Sequence, residues 1–247
     1  MKYFGDYHIH TDYSDGKSSI ESIVEYAVAK GLSEIALTEH GLSNPSYSRK
    51  KLFAEKEHIE QLRKEYSGIS ILFGNEADII SEEGKINISK EDARLLDVLL
   101  VGFHQFSAPE TLKDWFRFYL PSVMNPFFCK RSVYRKRNTL ALIKCIENNR
   151  IDVLTHPNHR FFFDAKEVAK ACADNQTYLE LNEKHLEVAE DIIEDILSTD
   201  AKFIVDSDSH RASTVGEFTK ADEIIKKYRI EERIVNLGKK PVFKNHR

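Results

Sequence analysis

Cysteine, glycine-rich linkers and membrane-length apolar runs are scarce or missing in this chain of 247 residues, and each absence removes a class of protein. Its three cysteines, Cys129, Cys145 and Cys172, lie far apart with no CxxC pair, which argues against a disulfide scaffold and against a thiolate metal site. No run of about eighteen apolar residues occurs, and MKYFGDYHIH lacks the basic-then-apolar order of a leader. A cytoplasmic protein with no membrane partner is therefore expected. Ten glycines and six prolines form no Gly/Ser/Pro-rich stretch that would split the chain. The formal charge of −4 offers no overall attraction to nucleic acid, so any phosphate-binding charge must be local. GxxxxGK[ST], GxGxxG, GxSxG, HExxH and a complete EF-hand loop are all missing, so nucleotide-fuelled, dinucleotide-dependent, serine-hydrolase and zincin mechanisms have no support.

What is present suits one large α/β domain, with 41% hydrophobic and 31% charged residues. Strand-like runs near 3–10, 34–39, 69–76, 97–104, 151–156, 177–182 and 201–206 alternate with helical patterns near 19–30, 50–66, 138–148, 165–174, 185–198 and 214–228. Ser18 with Glu21, Asp164 with Glu167 and Thr214 with Glu217 have the spacing of helix-opening capping boxes. Strand alternating with helix predicts a parallel sheet, and seven units predict a closed or nearly closed barrel over residues 1–247, undivided. A short further strand is expected near 230–247. Residues 105–137 break the rhythm, with Trp115, Phe116, Phe118, Tyr119, Phe127, Phe128 and Tyr134 beside Arg117, Lys130, Arg131, Arg135, Lys136 and Arg137. They read either as a lid over the barrel mouth or as an insertion packed on its own rings.

Six of the ten histidines sit at or just past the ends of apolar runs: His8 and His10 in YHIH, His40 in ALTEH, His104 in VGFH, His156 in VLTHP and His210 in VDSDSH, with Asp208. An apolar run ending in a ligand delivers that side chain to the rim of a sheet or barrel. Imidazole and carboxylate together suit zinc, manganese or iron. Glu76 in ILFGNEADI would be costly to bury unpaired, which calls for a cation, and Asp15 in YSDGKSS is a ninth candidate that equally fits a turn before a capped helix. Nine ligands exceed one ion, so two or three divalent ions are expected.

At these residues the chain resembles the PHP family, the polymerase and histidinol phosphatase superfamily of metal-dependent phosphoesterases. HIHTDYSDG, TEHG, GNE, GFH, THP and DSDSH stand in the family's order nearly end to end. The resemblance implies a distorted (β/α)7 TIM-like barrel with metals at the strand C-terminal ends. It groups His8, His10, Glu76 and Asp208 around one ion. Glu76, His104 and His156 would hold a second, and Asp15, His40 and His210 a third.

Glu76, Asp208, Arg160 and Arg211 are the candidate catalytic residues. The two arginines follow ligands on loops where a guanidinium would grip phosphate, though either also reads as a surface arginine. Asn158 and His159 would meet substrate or support a ligand, and Glu180 is expected to have a supporting role. His58, His185 and His246 read as bystanders. The expected activity is hydrolysis of a small phosphorylated substrate, histidinol phosphate first, by a hydroxide formed on the metals. A nuclease or nucleotide phosphodiesterase is the alternative, favoured by KRSVYRKR at 130–137 and disfavoured by the acidic charge. A non-catalytic metal-binding domain is disfavoured because every ligand is present.

Overall fold

The computed structural model describes residues 1–104, 107–124 and 132–245. Seven strands, β1 (Gly5–Ile9), β2 (Glu34–His40), β3 (Ser70–Asp78), β4 (Val98–Gly102), β5 (Val153–Leu154), β6 (Tyr178–Asn182) and β7 (Phe203–Asp206), pair side by side in chain order, and every ladder is parallel. Parallel neighbours need crossovers. These run through α1 (Ile20–Ala29), α2 (Arg49–Glu65), α3 (Ser132–Asn148), α4 (Ala165–Asp174) and the pair α5 (Leu186–Glu190) and α6 (Ile193–Leu197), while α7 (Thr219–Tyr228) follows β7. Between β3 and β4 stands only the single turn Lys90–Ala93.

Side chains finish the seam between β1 and β7, where the ladder shrinks to an isolated bridge, Ile9 to Ser209. The Asp206 carboxylate accepts from Tyr7 N at 2.7 Å, and Asp6 accepts from Ser207 N at 3.0 Å and Gly216 N at 2.9 Å. The result is a nearly closed, distorted (β/α)7 barrel.

Alternation along the strands decides where the chemistry sits, because every second side chain faces the barrel axis. At the N-terminal end the axis is filled by Tyr7, Ala36, Leu72, Leu100, Val153 and Ile204, which form their own apolar core, separate from the one between strands and helices. Further along, the inward positions turn polar: Thr38 and His40 in β2, Glu76 and Asp78 in β3, Glu180 and Asn182 in β6. In β1 the register shifts between Asp6 and Ile9, so His8 joins the inward side beside Tyr7 while Ile9 packs in the outer core.

The helix starts differ in part from the sequence pattern. α4 is capped as expected, Asp164 accepting from Glu167 N, but α1 is capped by Ser19 rather than Ser18, and α7 begins at Thr219 with no side-chain cap. Thr214 instead closes a short 3-10 turn at Ala212–Thr214. The helical pattern at 185–198 breaks into α5 and α6. Among the described residues the tail forms no strand; the turn Glu231–Arg233 and two single bridges, Tyr3 to Leu237 and Phe203 to Ile234, replace it, and Phe243 plugs the inner core against Tyr7 with ring centroids 4.9 Å apart.

Of the aromatic and basic segment, residues 105–106 and 125–131, with Phe127, Phe128, Cys129, Lys130 and Arg131, lie outside the described residues, as does His246. In its described part, Phe118 is fully buried against Phe161, centroids 5.3 Å apart, and Tyr119 lies 6.0 Å from Phe103.

Candidate metal centre

The inward polar positions converge on Glu76, fully buried at the C-terminal end of β3. Its Oε1 lies 2.8 Å from His156 Nε2, 3.3 Å from His104 Nε2 and 3.3 Å from His8 Nε2. Its Oε2 lies 3.0 Å from His40 Nδ1 and 3.5 Å from His10 Nε2. On the far side, Asp208 Oδ1 stands 3.7 Å from His10 Nε2 and 3.4 Å from His210 Nδ1. Asp15 reaches in from the loop after β1, 3.3 Å from His40 Nε2 and 3.6 Å from His210 Nε2. All nine candidate ligands thus occupy one place.

Three groups of donor atoms there are compact enough to share an ion, each with its ligand atoms within 4.8 Å of one another: His8, His10 and Glu76; His40, Glu76 and His104; His10, Asp15, His40 and His210. The donors also have the right chemistry. His10 Nδ1 is buried with no hydrogen bond, and His40 Nδ1 and Glu76 Oε2, buried 3.0 Å apart, have hydrogen-bond geometry neither to each other nor to any other group, an arrangement that a cation among them would satisfy. Two carboxylates outside the ligand set fix ring orientation: Glu180 Oε1 holds His8 Nδ1 at 2.7 Å, and Asp78 Oδ1 holds His104 Nδ1 at 2.6 Å. With the proton kept on Nδ1, each Nε2 is left to bind a metal.

Charge is strongly perturbed. Burial opposes a charged His40, yet Asp15 and Glu76 raise its pKa to about 10. His8 is likewise held well above the ordinary imidazole range, burial being outweighed by Glu76, Glu180 and Asp208. His10 goes the other way, lowered by burial and by the neighbouring His40. Burial alone would raise Glu76; the surrounding imidazoles, His104 and His8 foremost, bring it well below the usual carboxylate range.

Above these groups opens a cavity of about 460 Å³. Arg160 lines it, whereas Arg211 is exposed on the next turn and does not. None of the described residues of 107–137 lines it either. Lys184 does, its Nζ 3.4 Å from Asp208 Oδ1, and so do His159 and His185, whose rings lie 4.0 Å apart. Burial and neighbouring imidazoles lower His159 to about 3 and His185 to about 4, so both are neutral at pH 7. His185 is therefore no bystander in position, unlike His58, which bonds Tyr13 and Glu21. Sequence reasoning also passed over Asp78, two residues beyond Glu76 on the same strand face, and Glu39. The latter accepts from Thr11 N at 2.7 Å, and burial raises its pKa to about 7. A carboxylate next to the ligand His40, at the end of the apolar run Ile35–Leu37, was the available signal.

The PHP domain family profile matches residues 6–230. The chain belongs to the PHP domain family. Among curated relatives, a "Probable phosphatase" of Shewanella sediminis is 30% identical over 247 residues, covering 96% of this chain and 90% of that one. Another of that name, from Shewanella frigidimarina, is 29% identical over 235 residues, covering 91% and 85%. The crystal structure of histidinol phosphate phosphatase from Lactococcus lactis, complexed with zinc, L-histidinol and phosphate, superposes with a TM-score of 0.59 at 19% identity, over 98% of this PHP chain and 97% of that one. The two share a fold.

Proposed function

We propose that this PHP protein is a metal-dependent phosphatase acting on a small phosphate monoester, with L-histidinol phosphate the first substrate to test. The observation behind this reading is the clustering of three overlapping donor groups, two of them sharing Glu76, beneath a 460 Å³ cavity. That size is in the range of small-ligand pockets. The phosphatase names of the relatives and the fold shared with a histidinol phosphate phosphatase point the same way.

In this reading His8, His10, Glu76 and Asp208 hold one divalent ion, Glu76, His104 and His156 a second, and Asp15, His40 and His210 a third, the metal being zinc, manganese or iron. The bound ions would supply an activated water and a counter-charge for the phosphoryl oxygens. Lys184 and Arg160, on the cavity wall, meet the phosphate from the side away from Glu76. The neutral rings of His159 and His185 offer a flat wall to the alcohol part of the substrate. Residues 1–247 act as one domain, with 105–137 an insertion.

The test is phosphate release by the manganese- or zinc-loaded protein from L-histidinol phosphate, other monoesters and single-stranded oligonucleotides, beside an Asp208→Ala control. Turnover of one monoester, lost in the control, is expected. Cleavage confined to oligonucleotides would overturn the reading in favour of a nuclease.

A further inference from the structure

β6 is the one strand that supplies no candidate ligand, yet its inward side chains touch ligands from three others. Glu180, fully buried, receives four donors: His8 Nδ1 at 2.7 Å on Oε1, and Thr155 Oγ1 at 2.6 Å, His156 N at 2.5 Å and Asn182 Nδ2 at 2.9 Å on Oε2. Asn182 then reaches Asp208 Oδ2 from the same Nδ2 at 3.3 Å, while its Oδ1 accepts from the backbone of Lys184 and His185 at 3.0 and 3.1 Å. Two strand residues thereby hold side chains or backbone from β1, from the ends of β5 and β7, and from the cavity rim.

Two of the three ligands they hold are strained. His156 has φ of +26° and Asp208 φ of +50°, in the left-handed region where a residue with a Cβ costs about 1–3 kcal/mol and persists only when its surroundings dictate it. For His156 the dictating contact is its own N–H on Glu180. Asp208 takes the Asn182 amide on its carboxylate, beside Lys184 Nζ at 3.4 Å.

Resting on the metal-centre reading above, we infer that Glu180 and Asn182 are positioning residues that set metal affinity by holding His8, His156 and Asp208 in ligating geometry. Replacing Glu180 by Gln turns one acceptor oxygen into an NH2 among groups that all donate. Either the His8 ring must present an acceptor at Nδ1, which moves its proton to the ligating Nε2, or the His156 amide loses its partner. The first outcome costs a ligand and the second loosens the backbone that aims His156, and neither alters a ligand side chain.

The experiment compares the full chain with Glu180→Gln after stripping with chelator. Zinc affinity is measured by competition with a chromogenic chelator, the ligand set by the visible absorption of the cobalt-substituted protein, and the melting temperature with and without zinc. Glu180→Gln is expected to weaken zinc binding about 10–100-fold, the range for residues that orient metal ligands, to change the cobalt spectrum, and to shrink the rise in melting temperature that zinc gives. Thr155→Val, which deletes a single donor to Glu180, should lower affinity in the same direction by less, and serves if the glutamine variant does not fold. Unchanged zinc affinity and cobalt spectrum, with equal losses of melting temperature in metal-free and loaded protein, would reduce Glu180 to a buried structural carboxylate and leave the phosphatase reading intact. Failure of the unaltered chain to take up any zinc or cobalt would overturn both.

Discussion

Glu76 faces five imidazoles with two oxygens, so no change at that position is local; the cavity rim is where single residues separate binding from chemistry. Lys184 is the residue there most readily tested. Its ammonium is half exposed and approaches Asp208 from the solvent side, where an incoming phosphate must pass. Lys184→Ala is expected to raise KM more than it lowers kcat, with kcat/KM for the monoester falling about 10–100-fold, the value of roughly 1.5–3 kcal/mol for a hydrogen bond to a charged group. Steady-state kinetics with the loaded enzyme would show it, and a fall in kcat at constant KM would contradict it. Away from the centre, Glu55 on α2 is fully buried, takes the Tyr47 hydroxyl on Oε2 and leaves Oε1 without a partner. Burial first, then the nearby Glu39 charge, holds its carboxyl well above the usual range. The raised value means that the folded chain keeps a proton the unfolded chain releases near pH 4.3, so stability present below about that pH is lost as pH rises, by up to about 1.4 kcal/mol per unit. Glu55→Gln removes that dependence. The melting temperature of the variant minus that of the unaltered chain, both metal-free, should therefore grow from pH 5 to pH 8; a constant difference would mean that Glu55 ionises normally.

At the scale of elements, the centre depends on which strand positions lack bulk as much as on which carry ligands. Gly102 ends β4 on the inward face, and a Cβ there would meet Thr155 Cγ2 at 2.7 Å and His156 Cε1 at 2.8 Å. Gly102→Ala should push the His156 ring from Glu76, costing about 1–3 kcal/mol of stability as overpacking and lowering metal content after dialysis. Melting curves and elemental analysis would check both; an alanine variant with normal metal content would show that the ring has room to move. The strands that carry these positions were legible in the sequence because each is a short apolar run, all but β6 with a ligand at or near its end, and the period of two puts Glu76 with Asp78 and Glu180 with Asn182 on one face. Helix starts were less legible. Only Ser18 has a glutamate three residues on, yet the preceding loop, with Asp12 N bonded to Ser18 O, leaves the cap to Ser19, which accepts from Ser22 N. Lys184 and His185 were hidden for a related reason: Asn182 bends the chain after β6 and turns them over the cavity, a tertiary contact with no local pattern.

For the whole molecule, metal binding, proton release and stability are one coupled equilibrium. The nine candidate ligands come from β1, β2, β3, the ends of β4, β5 and β7 and the loop after β1, so binding ties together strands across the nearly open seam and should stabilise the entire barrel. At a free metal concentration about 1,000 times Kd, one ion adds about 4 kcal/mol, which for a chain of this size raises the melting temperature by roughly 8–16 °C. Chelation should lower it by that amount. The sign of the pH dependence follows from His40. In the metal-free chain Asp15 and Glu76 hold its pKa at about 10, so its protonated form stabilises the fold, and that stability is lost as pH rises from the ordinary imidazole range through about 10. A metal needs the neutral ring. Loading at pH 8 must therefore expel a proton from His40, and binding strengthens toward pH 10 while the metal-free chain weakens. The gap in melting temperature between loaded and stripped protein should widen from pH 6 to pH 9. Calorimetric titration with zinc in buffers of different ionisation enthalpy should register net release of protons at pH 8. A gap that narrows over the same interval, or binding without proton release, would mean that His40 does not ligate.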